Sequence, residues 1–477
     1  MGDHADRFRP AFHFTPEAHW MNDPNGLVHS RGLYHLFYQY YPEDVVWGPM
    51  HWGHATSRDL VTWERLPVAF APDETGWVFS GSAVEDVENS AGFGPGALVA
   101  AFTLHDGEAR KRGVVPVESQ GLGFSRDGGL TWEKFGGNPV LRNSGEADFR
   151  DPKILRNPVK GGWNLVLAAG DRIKIYSSDD LRAWRHESDF FPAATGFGVW
   201  ECPDLFPIRS GGETRWVMLV SQTAAAPNGG SGTRYIVGDF DGREFKARSA
   251  PEWIDWGKDF YAAVTYSGAP DGRSVLVGWM SNWQYAAKTP TGAWRGAMAL
   301  PRELALETRD GRYRLTQKPA SGFEALPRRL LAERSGALPL SARGLDLSAA
   351  DIALSVREPR GPVMVELSND NGERFSVECD GPVARVDRTR SGDVDFSPDF
   401  APGTQTLRAN HPVTALRLIV DACSVEIFFD GGAPVMTNLV FPSEPYSAVS
   451  ITGSGEADLT VSAPILRAAS QDALASR

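Results

Sequence analysis

Along the chain, apolar and aromatic residues come in short runs broken by Gly, Pro, Asn and Asp. Gly32-Leu-Tyr-His-Leu-Phe-Tyr-Gln39, Trp163-Asn-Leu-Val-Leu-Ala168, Trp216-Val-Met-Leu-Val220 and Val275-Leu-Val-Gly-Trp279 are typical. Runs of this kind, with turn signals every ~8–12 residues, predict strands joined by tight turns. Helical periodicity is scarce. Its best stretch, 322–333, is interrupted by Pro327, which removes a backbone donor and clashes with the preceding turn. The pattern predicts an all-β protein.

A repeat refines this. Ser57-Arg-Asp-Leu-Val-Thr-Trp63, Ser125-Arg-Asp-Gly-Gly-Leu-Thr-Trp132 and Ser177-Ser-Asp-Asp-Leu-Arg-Ala-Trp184 share one grammar, a Ser/Asp turn followed by a Trp that can pack beneath it. Asp239-Phe-Asp-Gly-Arg-Glu-Phe245 resembles a degenerate fourth copy. The spacing leaves room in each unit for a four-stranded sheet, as in a propeller blade. Similar hairpins in a sandwich would satisfy the same grammar. Beyond about residue 325 the texture changes. The last Trp is Trp294, and alternating segments follow, such as Val363-Met-Val-Glu-Leu367 and Ser424-Val-Glu-Ile-Phe-Phe429, where Val425, Ile427 and Phe429 share a face. Alternation with period two fits an antiparallel sandwich.

Composition narrows the function. With 477 residues the chain exceeds what one core usually serves. Its formal net charge of −12 excludes the positive field that nucleic acids or anionic membranes require, and no segment approaches the ~20 apolar residues of a membrane span. Cys202, Cys379 and Cys423 are far apart and form no metal knuckle. His51 and His54 lack further ligands nearby, so no metal or organic cofactor is expected. The N-terminus carries no apolar leader core, which leaves two expectations open, a cytoplasmic protein or a mature secreted or periplasmic form. The sequence does not indicate an oligomeric state.

Three carboxyls stand in unusual company. Asp23 sits in a turn forced by Pro24 and Gly26, with Trp20 and Met21 suited to a pocket wall. Asp151 follows Arg150, and Glu201 lies between Trp200 and Cys202, where desolvation would favour a protonated general acid. Asp204 reads as a tuning group for Glu201 or, preferably, a solvated turn residue, and Tyr261 as a core residue. Individually each acid also reads as an ordinary turn or surface residue. On successive blade-like repeats they would converge on one axis, and paired carboxyls among aromatics suit cleavage of a glycosidic bond.

Eight features carry a resemblance: Trp20-Met-Asn-Asp-Pro-Asn-Gly26, Gln39, Trp47-Gly-Pro-Met-His-Trp-Gly-His54, Phe79-Ser-Gly81, Phe149-Arg-Asp-Pro152, Trp200-Glu-Cys-Pro203, Gly278-Trp-Met-Ser-Asn-Trp-Gln-Tyr285 and Trp294-Arg-Gly-Ala-Met-Ala-Leu-Pro-Arg-Glu303. In this order they resemble glycoside hydrolase family 32, the fructan hydrolase and invertase family, over nearly the whole chain. The resemblance implies a five-bladed β-propeller followed by a C-terminal β-sandwich. The expected division is a catalytic propeller at 1–322, a short linker at 323–335 and a sandwich at 336–477.

The resemblance also implies roles. Asp23 would be the nucleophile, Glu201 the general acid/base and Asp151 the transition-state stabiliser, with a retaining outcome and the carboxyls of Asp23 and Glu201 ~5 Å apart. Asn22, Gln39, Trp47, Phe79, Ser80, Arg150 and Trp283 would surround the terminal fructose, and by this resemblance alone Tyr261 reads equally as a pocket residue. The expected activity is an exo-β-fructosidase acting on fructan (levan or inulin), sucrose or both, nearer to levanases and exo-inulinases than to sucrose-phosphate hydrolases. A fructosyltransferase sharing the covalent intermediate and a catalytically silent fructan-binding propeller are the rivals.

Overall fold

The computed structural model describes residues 7–115, 117–191, 198–309 and 311–466. Among the described residues the only α-helices are short, Gly107–Lys111 and Ser321–Glu324. Five antiparallel sheets fill the first two-thirds of the chain. They begin with the strands His19–Ser30, Trp77–Asp86, Phe149–Arg156, Trp200–Ser210 and Tyr261–Thr265. These five first strands touch one another in chain order, and the fifth returns to the first. The sheets thus form a ring, the arrangement of blades in a β-propeller. Trp294–Arg295, an excursion from the fifth sheet, pairs in parallel with His19 and Trp20 and helps close it. Gly296 permits this approach. Its φ is +89°, and a Cβ there would lie 2.0 Å from the Met21 carbonyl oxygen.

The Ser/Asp/Trp repeat marks the same place in successive sheets, the turn from third to fourth strand. Asp59 accepts from the amides of Val61 and Thr62, Asp127 from Leu130 and Thr131, and Asp180 from Arg182 and Ala183. Asp241 does the same with Arg243 and Glu244, so the degenerate copy is a true fourth member. The third copy is anchored by Ser178 and Asp180, one residue later than the sequence alignment suggests. Each carboxylate satisfies two turn amides that would otherwise be unpaired.

Two six-stranded sheets follow and enclose a separate apolar core. The stretch expected to be a linker, 323–335, largely belongs to that sandwich. Arg328–Ala337 is a strand paired with Glu456–Pro464, because past Pro327 the chain extends and its backbone groups need a ladder. In Ser424–Phe429 the face with Val425, Ile427 and Phe429 fills the sandwich core, as the alternation predicts. The opposite face is equally buried, since Phe428 joins Phe12, Leu300 and Phe323 in a cluster with the propeller side of the molecule.

Buried charge accompanies this apolar contact. Arg302, with no exposed side-chain surface, donates to Asp255 at 2.9 Å and Gln317 at 3.0 Å, and across the junction to Glu426 at 2.5 Å and Thr437 at 2.6 Å. Its guanidinium also lies 4.4 Å from the Phe260 ring centroid. Arg388 of the sandwich reaches back to Asp259 and, at 2.9 Å, to the Tyr285 hydroxyl. His13 bridges Asp421 and Glu426, both at 2.8 Å. Burial would lower the His13 pKa, but these two carboxylates overcome it and raise it to about 9. Burial would raise Glu426, yet Arg302 and His13 hold it down at about 2.

Two predictions follow from this junction. A raised histidine stabilises fully below its unfolded value of 6.5, and that contribution fades as pH rises through about 9. A depressed glutamate stabilises above 4.5 and fades as pH falls through about 2. The contribution of this His13–Glu426–Arg302 junction to thermal stability should therefore be greatest between about 4.5 and 6.5. His13→Gln should flatten the decline towards pH 9, a contribution of up to about 3 kcal/mol. An unchanged slope would show that the bridge carries no such linkage. Removing the residues beyond about 330 should prevent folding, because it strips Arg302, Asp259 and His13 of partners whose loss costs about 3–5 kcal/mol for each buried pair. Solubility and a cooperative melt of the truncated chain would refute this.

Candidate active site

Each first strand of the ring carries an extra residue at the same height. The register slips between Met21 and Pro24, Val78 and Gly81, Arg150 and Lys153, Glu201 and Asp204, and Tyr261 and Val264. These β-bulges re-aim side chains where a regular strand would bury them between neighbours. Asp151, Cys202 and Ala262, the first extra residues of three bulges, have φ of +64°, +46° and +52°. None is glycine, so each holds a strained backbone, a feature that clusters at functional sites.

The bulges converge on one pocket of ≈ 530 Å³. Asp23, Asp151 and Glu201 all line it, together with Asn22, Gln39, Trp47, Phe79, Ser80, Arg150 and Trp283. Every site residue singled out in the sequence therefore meets in this one cavity. Ser80 and Asp151 also border a second, separate space of only ≈ 10 Å³, room for a single water, together with Cys202.

Asp23 accepts from Ser80 Oγ at 2.7 Å and from Asn22 Nδ2 at 3.0 Å, and Asn22 is steadied by Trp20 Nε1 at 2.7 Å. The Cys202 thiol lies 3.5 Å from Asp23 Oδ2 and 3.7 Å from Asp151 Oδ2. Asp151 also accepts from the Cys202 amide at 2.8 Å, while its own amide donates to Thr103 Oγ1 at 2.9 Å. Glu201 is clamped at both oxygens, by Arg150 Nη2 at 3.0 Å and by the Tyr261 hydroxyl at 2.5 Å.

Burial raises the Asp23 pKa, and the neighbouring Glu201 raises it further, against the donors Ser80, Asn22 and Cys202. Asp151 is pushed up to about 8 by burial, with Arg150 opposing and Glu201 and Asp23 adding to the rise. Arg150 faces Glu201, Glu118, Asp151 and Asp148, while burial favours the protonated forms of Asp23 and Asp151.

Several expectations need correction. The desolvation expected at Glu201 falls instead on its neighbours. Its side chain is 20% exposed, while Asp23 and Asp151 are buried. Trp200 points away into a core with Trp216 and Ile173, so it does not dry the carboxyl. Trp20 and Met21 are core residues behind the pocket, not its wall. Asp204 is fully buried and is no solvated turn. It accepts from Lys153 Nζ at 3.0 Å and from the amide and hydroxyl of Thr265, away from Glu201. Tyr261 serves the site after all, through Glu201. Glu118 and His105 line the pocket without any sequence motif to announce them. They are cross-strand partners in the second sheet, so only the register brings them there.

Comparison with known proteins agrees with this geometry. The chain is 44% identical over 468 residues to a levanase of Bacillus subtilis, covering 91% of this chain but 66% of the levanase. It is 37% identical to an extracellular exo-inulinase of Aspergillus awamori, covering 97% and 95% of the two chains. The crystal structure of an exo-inulinase from that fungus superposes with a TM-score of 0.86 at 34% identity, over 96% of this chain and 98% of that one. A fructofuranosidase of Schwanniomyces occidentalis complexed with fructose gives 0.84 at 28% identity, over 96% and 99%. Residues 13–319 match the N-terminal domain of the family 32 glycosyl hydrolases and 341–465 match their C-terminal domain, so the chain belongs to glycosyl hydrolase family 32.

Proposed function

We propose that this chain is a retaining exo-β-fructosidase that removes terminal β-D-fructofuranosyl units from fructans, sucrose or both. The observation that carries the reading is the gathering of Asp23, Asp151 and Glu201 around Arg150 in one pocket. In the first step the Asp23 carboxylate forms a bond to the anomeric carbon. The bond to the leaving oxygen breaks as Glu201 delivers its proton there. Glu201, now ionised, takes a proton from water, which displaces Asp23 and releases fructose. Asp151 and Arg150 hold fructose hydroxyls as charge develops on the ring. Asn22, Gln39, Phe79, Ser80 and Trp283 surround the sugar, and Trp47, 37% exposed, offers an open aromatic face.

The division of labour rests on placement: Asp23 takes donors from Ser80, Asn22 and the Cys202 thiol, while Glu201 is the most exposed of the three carboxyls. Asp23 and Glu201 line one pocket, and the charge of Glu201 raises the Asp23 pKa, as expected of carboxyls close enough for a retaining site. The levanase, exo-inulinase and fructofuranosidase among its relatives supply the substrate class. Residues 1–322 would carry the chemistry, with the sandwich that begins at Arg328 as a structural partner.

Asp23→Ala should lower kcat on the order of 10⁴-fold or more in a fructose-release assay, with the fold retained by circular dichroism. Wild-type turnover in that variant would refute the nucleophile. Glu201→Gln should lower kcat about 10²–10⁴-fold and abolish the alkaline limb of its pH profile. A limb that persists would move the acid elsewhere. Sucrose, inulin and levan incubated side by side should each yield free fructose without intermediate oligomers. Accumulating oligomers would indicate endo cleavage or transfer.

A further inference from the structure

Glu118 has no place in the reaction above, yet it lines the catalytic pocket with its side chain 5% exposed. Both of its oxygens are committed. Oε2 accepts from the Phe149 amide at 2.9 Å, and Oε1 accepts from Arg150 Nη1 at 3.1 Å. His105 Nδ1 stands 3.4 Å from the same Oε1, and its ring stacks on Phe79 at 4.2 Å. A carboxylate so occupied has little left to offer a sugar and acts through what it holds. Arg150 has two edges. Nη1 is gripped by Glu118 and, at 2.7 Å, by Asp148, while Nη2 donates to Glu201. The Asp148 side chain is 34% exposed and its grip is softened by water, so the buried grip is Glu118.

We propose that Glu118 is a positioning residue for this site. By holding the Nη1 edge of Arg150 it fixes the Nη2 edge on Glu201 and sets how much of the guanidinium charge reaches that carboxyl. The proposal rests on Glu201 being the general acid. Burial works to raise the Glu118 pKa, but His105, Arg150 and the Phe149 amide bring it below the ordinary glutamate range, so it is an anion at working pH. The charged and titratable groups around the pocket are His105 on the sheet of Glu118, Arg110 on the helix Gly107–Lys111, Glu146, Asp148, Arg150 and Asp151 at the next sheet, and Glu201, Cys202, Tyr261 and Asp23 across from it. Glu118→Gln keeps the shape and removes the charge. Arg150 is then less neutralised, and a negative charge near Glu201 is gone. Both changes favour the carboxylate form of Glu201, which must be protonated to act.

The test is the pH profile of kcat/KM for fructose release by Glu118→Gln, Glu118→Asp and Asp148→Asn. The alkaline limb should move down by about half a pH unit or more in Glu118→Gln. It should return towards the wild-type position in Glu118→Asp, which restores the charge. Asp148→Asn should move it the same way by less, and this surface variant reads the same edge of Arg150 should Glu118→Gln not fold. A limb left in place by both charge-removing variants would overturn the proposal, as would activity lost equally at every pH. If Glu201→Gln itself kept the limb, the assignment of Glu201 would fail instead, which separates the two ideas.

Discussion

Arg150 is placed among more carboxylates than it can neutralise. Burial disfavours its charge, yet Glu201, Glu118, Asp151 and Asp148 together lift it well above the ordinary arginine value. A guanidinium suits this position because its planar fork serves two edges at once, where an ammonium would be a single point. One cation cannot hold several buried anions ionised, so burial draws Asp23 and Asp151 towards their protonated forms.

That electrostatic arrangement depends on the backbone beneath it. The first extra residues of three bulges adopt left-handed conformations at non-glycine positions, at a cost of about 1–3 kcal/mol each. The strain persists because neighbours fix both ends of it. The Asp151 amide is tied to Thr103 on the sheet before, and its carboxylate to the Cys202 amide on the sheet after. Strained residues of adjacent blades thereby hold each other, and Asp23, Asp151 and Glu201 sit on strands, not on loops.

Much of this was legible in the sequence, for identifiable reasons. The Ser/Asp/Trp turns repeat because each third-to-fourth-strand connection has the same unpaired amides to satisfy, and local requirements write local motifs. Asp23, Asp151 and Glu201 were readable because each has conspicuous local company, Pro24 and Gly26 after Asp23, Arg150 and Pro152 around Asp151, and Trp200 and Cys202 around Glu201. Glu118 and His105 were not, because cross-strand register brings them together and their flanking residues are ordinary. The desolvation assigned to Glu201 erred for a related reason. Adjacent residues on a strand point to opposite faces, so the flanking Trp200 dries a different part of the molecule.

The same alternation explains why the second domain misleads when read alone. In Ser424–Phe429 the polar position Glu426 looks like a solvent face, but it is fully buried and receives Arg302, His13 and the Leu300 amide. A sheet covered on both sides by different domains keeps alternating because the two sides ask for different chemistry. The sandwich core needs shape-filling aliphatics. The junction needs charges that recognise one partner, since an apolar face would slide or aggregate where a buried ion pair is satisfied in a single register. Arg302 belongs to the segment running from Trp294, which pairs with the first blade beside the pocket. The residue that fastens the sandwich thus follows closely in the chain on the strand that helps close the ring, so the junction and the closure of the propeller share one segment.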